Sequence, residues 1–309
     1  MTRHLSIVPD LDEPALTVLD GGMGKLLHRM GAPFRQPEWS ALTLMEAPDQ
    51  VLDAHRAFVR AGAQVLTTST YAVVPYHLGV DRFWEHGTQL ADLAAQLARQ
   101  AADEAPHPVR VVGSLPPLFG SYEPDRFQPQ AAPAIYQLLV DAQRNYVDGW
   151  LGETVSSIAE AQAVVAAAGE TELDLWLSYC LHNDPPESGP TIVSGETVAA
   201  AAAAVADDVA AILFNCCRVE VVAAALLELR QGLKAEHDHI RIGAYANAFE
   251  DEHDESYAAN EVILRHRADL TPANYAEVGR SWVEAGATIV GGCCGIHPEH
   301  IEALADALG

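Results

Sequence analysis

The chain has 309 residues, 49% of them apolar and 20% charged, enough to bury a large core in one barrel-sized unit or two smaller ones. Its 18 Lys and Arg stand against 43 Asp and Glu for a formal charge of −25, which argues against a broad nucleic-acid or anionic-membrane surface, because phosphates need concentrated basic charge. The five cysteines are an odd number with four in vicinal pairs, a usage that suits reduced thiols and metal binding over a disulfide framework.

Residues 1–10 lack the long apolar core of a secretory signal, and the Ala-rich run from 198 to 214 is broken by Asp207 and Asp208. No leader and no membrane span is therefore expected, and the protein reads as cytoplasmic and acting on small molecules. From there the chain alternates short β-rich apolar runs with Ala-rich amphipathic stretches, the pattern of parallel strands joined by crossover helices. Strands are predicted over 17–20, 64–68, 109–113, 149–153, 174–179, 210–215, 241–245 and 288–292, and helices over 51–63, 87–105, 134–148, 157–168, 195–206, 219–233, 271–285 and 298–307. Thr271-Pro272 supplies an N-cap hydroxyl with proline first in its helix, and Gly62 and Gly286 sit where helices should stop. No Gly-, Ser- or Pro-rich linker divides the sequence. The α/β class and eight βα units predict a single-domain (β/α)8 TIM barrel over 1–309. Two longer insertions, 118–133 and 249–260, follow predicted strands and would lie over the same mouth. The acidic run inside the second, Glu250 to Glu255, reads as a solvated loop.

Reactive side chains collect at strand ends that face one way: Asp20-Gly21-Gly22, Thr67-Thr68, Gly113 to Pro117, Glu153-Thr154, Asn215-Cys216 and Gly292-Cys293-Cys294. Barrel enzymes build their sites at that end. Three thiolates, Cys216, Cys293 and Cys294, arriving from two strand ends would form a three-ligand metal site with one open position, and soft sulfur donors select zinc or a similar ion over magnesium or calcium. By strand alternation, an inward Cys216 sends its neighbour Cys217 outward as a spare. Cys180 reads as a buried thiol without a role. Asp20 and Glu153 are strand-end acids that need a partner, and a substrate ammonium is the obvious one. Gly21-Gly22-Met23-Gly24 has neither the spacing of a dinucleotide fingerprint nor the Gly-Lys-Ser/Thr of a P-loop. His297 and His300 read as polar surface groups beyond the ligands.

These motifs resemble the homocysteine S-methyltransferase family. Leu19-Asp20-Gly21-Gly22-Met23-Gly24 resembles its opening strand and loop, and Gly113-Ser114-Leu115-Pro116-Pro117 and Gly152-Glu153-Thr154 resemble its central segments. Asn215-Cys216 with Gly291-Gly292-Cys293-Cys294-Gly295 resembles its zinc motif, and further similarity at Asp269 to Pro272 and Pro298 to Ile301 carries the match over most of the chain. The resemblance implies a zinc cofactor on Cys216, Cys293 and Cys294, with homocysteine as methyl acceptor. Glu153 and Asp20 would hold the homocysteine amino group, and the Gly21 and Gly22 N–H groups would approach its carboxylate. Trp39 and Tyr71, with Tyr122, would offer π-faces to a cationic donor. Lys25 stands where the family pattern carries threonine, and Ala246 and Ala248-Phe249 depart from a segment that usually carries proline, a small residue and glycine. S-Methylmethionine is the preferred donor, with betaine, S-adenosylmethionine or another sulfonium as alternatives and selenohomocysteine as an alternative acceptor. From other classes, the chain could be a non-catalytic zinc- or thiol-binding barrel, or a zinc hydrolase, although three thiolates activate water less readily than histidines do.

Overall fold

The computed structural model describes residues 16–250 and 265–309. Residues 1–10 and most of the acidic insertion, both discussed above, lie outside the described residues. Eight parallel strands form one sheet: β1 (Thr17–Val18), β2 (Val65–Thr67), β3 (Arg110–Leu115), β4 (Gly149–Val155), β5 (Leu175–Tyr179), β6 (Ala211–Asn215), β7 (Arg241–Tyr245) and β8 (Ile289–Val290). Their order is β1-β8-β7-β6-β5-β4-β3-β2. A parallel bridge between Leu19 and Val65 joins the two ends, with the Asp20 N–H donating to Val65 O at 3.1 Å and the Gln64 N–H to Val18 O at 2.8 Å. The fold is a (β/α)8 barrel, as the rhythm of the sequence predicts.

Around the sheet run α1 (Met23–Arg29), α2 (Ser40–Glu46), α3 (Pro48–Arg60), α4 (Pro75–Leu78), α5 (Val80–Asp103), α6 (Ala132–Gln143), α7 (Ile158–Ala168), α8 (Val198–Ala203), α9 (Val219–Gly232), α10 (Pro272–Glu284) and α11 (Pro298–Leu308). All eight predicted helices are present, and the Thr271 hydroxyl caps α10 by accepting from the Asn274 N–H at 3.3 Å. Gly62 and Gly286 take φ of 94° and 105°, the left-handed conformation that stops a helix. The short helices α1, α2 and α4 fall in intervals to which the sequence reading assigns no helix, because four to seven residues span too few turns to show a 3.6-residue period.

Strand alternation divides the core in two. Leu19, Val65, Val112, Leu151, Trp176, Ala211, Leu213, Tyr245 and Ile289 fill the barrel interior, while their neighbours Leu66, Val111, Trp150, Leu177, Ile212, Phe214, Ala244 and Val290 pack in the layer shared with the helices. The interior positions recur every second residue, as pleated strands require. Two residues further along several strands, the same inward direction carries polar side chains. That register places the functional residues.

Candidate active site

Above the apolar plug, the interior positions become Thr67 on β2, Ser114 on β3, Glu153 on β4, Ser178 on β5 and Asn215 on β6, and all but the half-buried Thr67 are buried. They pair around the ring. The Asn215 side chain accepts from the Thr154 N–H at 2.9 Å and the Ser178 hydroxyl at 2.7 Å, and donates to Thr154 Oγ1 at 2.9 Å. The Cys180 thiol donates to the Asn215 carbonyl at 3.0 Å, so the thiol read as idle holds the residue before Cys216. Every polar group in this layer needs such a partner, since an unmade buried hydrogen bond costs about 1–3 kcal/mol.

Asn215 takes the inward place on β6, so simple alternation would turn Cys216 away from the barrel axis. A φ of 51° at Cys216 reverses the chain instead and brings its sulfur to the mouth. Cys217 then packs in the outer core at 1% exposure, and burial pushes its thiol up to about 12. Cys217 faces outward as expected, although a left-handed residue at 216 accompanies that direction in place of the plain pleat. Cys293 and Cys294 follow β8, and the reactive sulfurs of Cys216, Cys293 and Cys294 all lie within 4.8 Å of one another. A tetrahedral ion with bonds of about 2.3 Å spaces its sulfurs at about 3.8 Å, so these three residues could hold a metal.

Their protonation fits the same purpose. Thiol hydrogen bonds from Cys293 and Cys294 push Cys216 well below the usual thiol range, while the shared proton and burial push Cys293 and Cys294 up. Three thiolates this close in a buried site repel one another, and a divalent cation relieves that cost. Backbone bonds lock the cluster in place: Cys293 N–H to Ala246 O at 3.0 Å, Ala248 N–H to Cys294 O at 2.9 Å and Cys216 N–H to Tyr245 O at 3.2 Å. The Asn247 amide and the Tyr122 hydroxyl both donate to Cys216 O, at 2.9 Å and 3.3 Å. The segment after β7 therefore links the two cysteine loops.

Asp20 and Glu153 line the same cavity as the sulfurs. Burial raises the Asp20 carboxyl to about 7, against the lowering pull of the Thr67 N–H at 2.8 Å and hydroxyl at 3.2 Å. Burial likewise raises Glu153 to about 8, with the charges of Asp20 and Cys216 adding to the shift and a hydrogen bond from Ser114 opposing it. The β4 register shifts between Gly152 and Val155, an irregularity beside the inward Glu153 in which Thr154 has φ of 58°. Two buried carboxyls facing one cavity would gain from a positive group placed between them.

Trp39 and Tyr71 also line the cavity, together with Lys25, His77, Ser121, Tyr122 and Phe249. Trp39 packs on Phe34 with centroids 4.9 Å apart, and Tyr71 shares a 2.6 Å hydrogen bond with Ser121. The buried Ser69 hydroxyl, another lining group, has no hydrogen-bond partner among the described residues. Lys25, Ser69, His77 and Ser121 escaped the sequence-based site list because each lies beyond a strand, where periodicity assigns no direction. The doublet Thr68-Ser69 after β2 was the available signal.

The glycines differ from expectation in one respect. The Gly22 N–H donates to Ile296 O at 2.9 Å, so it serves the protein instead of a substrate carboxylate. A Cβ on Gly22 would lie 2.6 Å from Cys293 O and 3.0 Å from the Cys294 Cα. Gly22→Ala should therefore cost about 1–3 kcal/mol and lower metal content together with the melting temperature, both readable on the purified variant. His300 also departs from its expected surface role: it is buried, accepts the His297 N–H through Nδ1 at 3.2 Å and hydrogen-bonds Leu270 O through Nε2 at 3.0 Å. It anchors the start of α11.

A barrel mouth with three convergent thiols, two raised carboxyls and an aromatic wall has the groups to hold a soft metal beside a positively charged ligand. Comparison with known proteins narrows the class. A profile of the homocysteine S-methyltransferase family matches residues 17–308, and the chain belongs to that family. It is 27% identical to homocysteine S-methyltransferase YbgG of Bacillus subtilis (strain 168), across 96% of this chain and 95% of that one. It is also 27% identical to the homocysteine S-methyltransferase of Escherichia coli (strain K12), across 95% and 96%. The metallated crystal form of the E. coli homocysteine methyltransferase MmuM superposes with a TM-score of 0.77 at 25% identity, covering 96% of this chain and 97% of that one. The protein is thus a methyltransferase of the homocysteine family on a (β/α)8 barrel. Among the described residues no helix is long and apolar enough to cross a membrane.

Proposed function

We propose that the protein is a cytoplasmic, zinc-dependent enzyme that moves a methyl group from a sulfonium donor, preferably S-methylmethionine, to the sulfur of homocysteine. The single observation that carries this reading is the meeting of Cys216, Cys293 and Cys294 within 4.8 Å at a mouth that also holds Asp20 and Glu153. A zinc ion on the three cysteines would supply Lewis acidity that keeps an incoming thiol deprotonated at neutral pH.

The protein's own residues orient the reactants. Asp20 and Glu153 take the homocysteine ammonium, whose positive charge offsets the cost of ionising them in a buried site. Ser69 and the Gly21 N–H take its carboxylate, Gly22 being committed to Ile296. Trp39 and Tyr71 offer their ring faces to the donor cation. In the transfer step a bond forms between the homocysteine sulfur and the methyl carbon as the donor's sulfur–methyl bond breaks, its electron pair staying on the donor sulfur. S-Methylmethionine and homocysteine thus give two molecules of methionine. No side chain has to accept a proton during transfer, because the acceptor enters as a thiolate; holding the two reactants in line supplies much of the acceleration.

The test is a donor panel. Zinc-loaded protein with homocysteine should form methionine from S-methylmethionine faster than from betaine or S-adenosylmethionine, as read by mass spectrometry. A protein that retains zinc yet forms no methionine from any donor would be a binding barrel instead.

A further inference from the structure

Trp39 lines the cavity from a backbone position that few residues adopt, with φ of 53° and ψ of −134°. A residue with a Cβ is strained there, and such a conformation persists only where the neighbouring structure over-determines it. The indole is confined on two sides. Phe34 packs on it with centroids 4.9 Å apart, and Gly24 lets it approach α1, since a Cβ at position 24 would lie 2.9 Å from Nε1. The backbone is fixed just before it. The Glu38 side chain, only 7% exposed, meets the Arg82 guanidinium at 2.9 Å, and Arg82 stands in the first turn of α5, a helix of 24 residues. The same guanidinium reaches Met45 Sδ on α2 at 3.6 Å. From α4, His77 donates through Nδ1 to Pro37 O at 3.0 Å. Arg35 also approaches Glu38, at 3.3 Å, but it is 64% exposed and only three residues away on the same loop, so it does not tie that loop to the barrel.

Neither Glu38 nor Arg82 lines the cavity. Their bond joins the loop that delivers Trp39 to a long helix, and a carboxylate taken out of water stays with its counter-charge. Resting on the methyl-transfer reading above, in which Trp39 faces the donor, we propose that Glu38 is a positioning residue for that reaction. Through Arg82 it holds Trp39 in its left-handed backbone and so keeps the indole in the cavity wall. Without the pair, the backbone at position 39 relaxes to an ordinary conformation and the ring leaves the wall, while the thiol cluster and the two carboxyls stay in place.

The experiment labels the protein with fluorotryptophan and follows its five indoles by fluorine NMR, with Trp39→Phe assigning the resonance of interest. In Glu38→Gln and in Arg82→Met that resonance should move or split while the other four and the bound zinc are unchanged. In the same two variants kcat/KM for the donor should fall by up to about 100-fold, the scale set by a reacting group misplaced by about 1 Å, and KM for homocysteine should hold. The double variant should lose no more than either single one, because both remove the same bond. Arg82→Lys should recover most of the rate, and Arg35→Met should change little. A Trp39 resonance that stays put in Glu38→Gln overturns the proposal, and so does a moved resonance with donor kcat/KM intact. Shifts at all five indoles with loss of zinc also overturn it, by making the pair a support of the whole barrel. Wild-type protein that makes no methionine from any donor is a separate outcome: it removes the methyl-transfer reading, and the Trp39 resonance still decides whether Glu38 places that ring.

Discussion

Serine at position 216, 293 or 294 is expected to lower methyl transfer by at least about 100-fold and to strip most of the bound metal. Residues that merely orient metal ligands are worth about 10–100-fold, and in the proposed site these three supply the ligand atoms themselves. The Cys216, Cys293 and Cys294 sulfurs lie within 4.8 Å of one another, and a serine oxygen is a harder, less readily ionised donor than a thiolate. Cys217→Ser supplies the internal control. Its side chain is buried in the outer core at 1% exposure, so the substitution should cost about 1–3 kcal/mol of stability while leaving the metal-to-protein ratio unchanged. Metal analysis by mass spectrometry on the four variants, beside methionine formation, checks both halves. Equal metal loss from Cys217→Ser and Cys216→Ser would mean that the left-handed turn at Cys216 does not choose between them.

The second large effect is a pH dependence of amino-acid binding that resides in the carboxyls. Asp20 rises from 3.8 to about 7 and Glu153 from 4.5 to about 8, both through burial. For acids raised in the folded state, the contribution to stability is full below their unfolded values and is lost as pH climbs through the folded ones. A bound ammonium reverses that loss by pairing with the ionised forms. Affinity for an amino-acid head group should therefore increase with pH, by up to about tenfold per pH unit for each carboxyl below its folded value, and level off above about pH 8. 2-Aminobutyrate, which has the head group of homocysteine and no thiol, isolates this effect from thiol ionisation at the metal. Calorimetric titration between about pH 6 and about pH 9 should show the rise for wild-type protein. Glu153→Gln should flatten most of it and weaken binding at high pH by about 10–100-fold, the scale of an ion pair lost from a buried hydrogen-bonded site. Affinity independent of pH would remove both carboxyls from the ammonium site.

The barrel was legible because its strands are short runs of β-branched and large apolar residues separated by Ala-rich helices, and both periods survive in the sequence. The polar layer was legible for the same reason: positions 114, 153 and 215 continue the inward register of 112, 151 and 213. What the sequence concealed lies where the backbone leaves regular geometry. Cys216 and Thr154 take φ of 51° and 58°, the former where plain alternation would turn its sulfur away, and non-glycine residues at such angles carry no compositional mark. The commitment of the Gly22 N–H to Ile296 was hidden because Ile296 lies far along the chain. The pocket walls contributed by Ser69 and Ser121 depend on loop paths that no periodicity encodes, and those contributed by Lys25 and His77 lie on helices too short to show one. The Cys293-Cys294 doublet stood out because two adjacent thiols after an apolar run have little to gain from burial alone.

Zinc K-edge X-ray absorption on the loaded protein, before and after homocysteine, tests the central claim most directly. Three sulfur neighbours at about 2.3 Å with one lighter neighbour should become four sulfurs when homocysteine is added. A sulfur count that stays at three under saturating homocysteine, or that falls short of three at the outset, would contradict it.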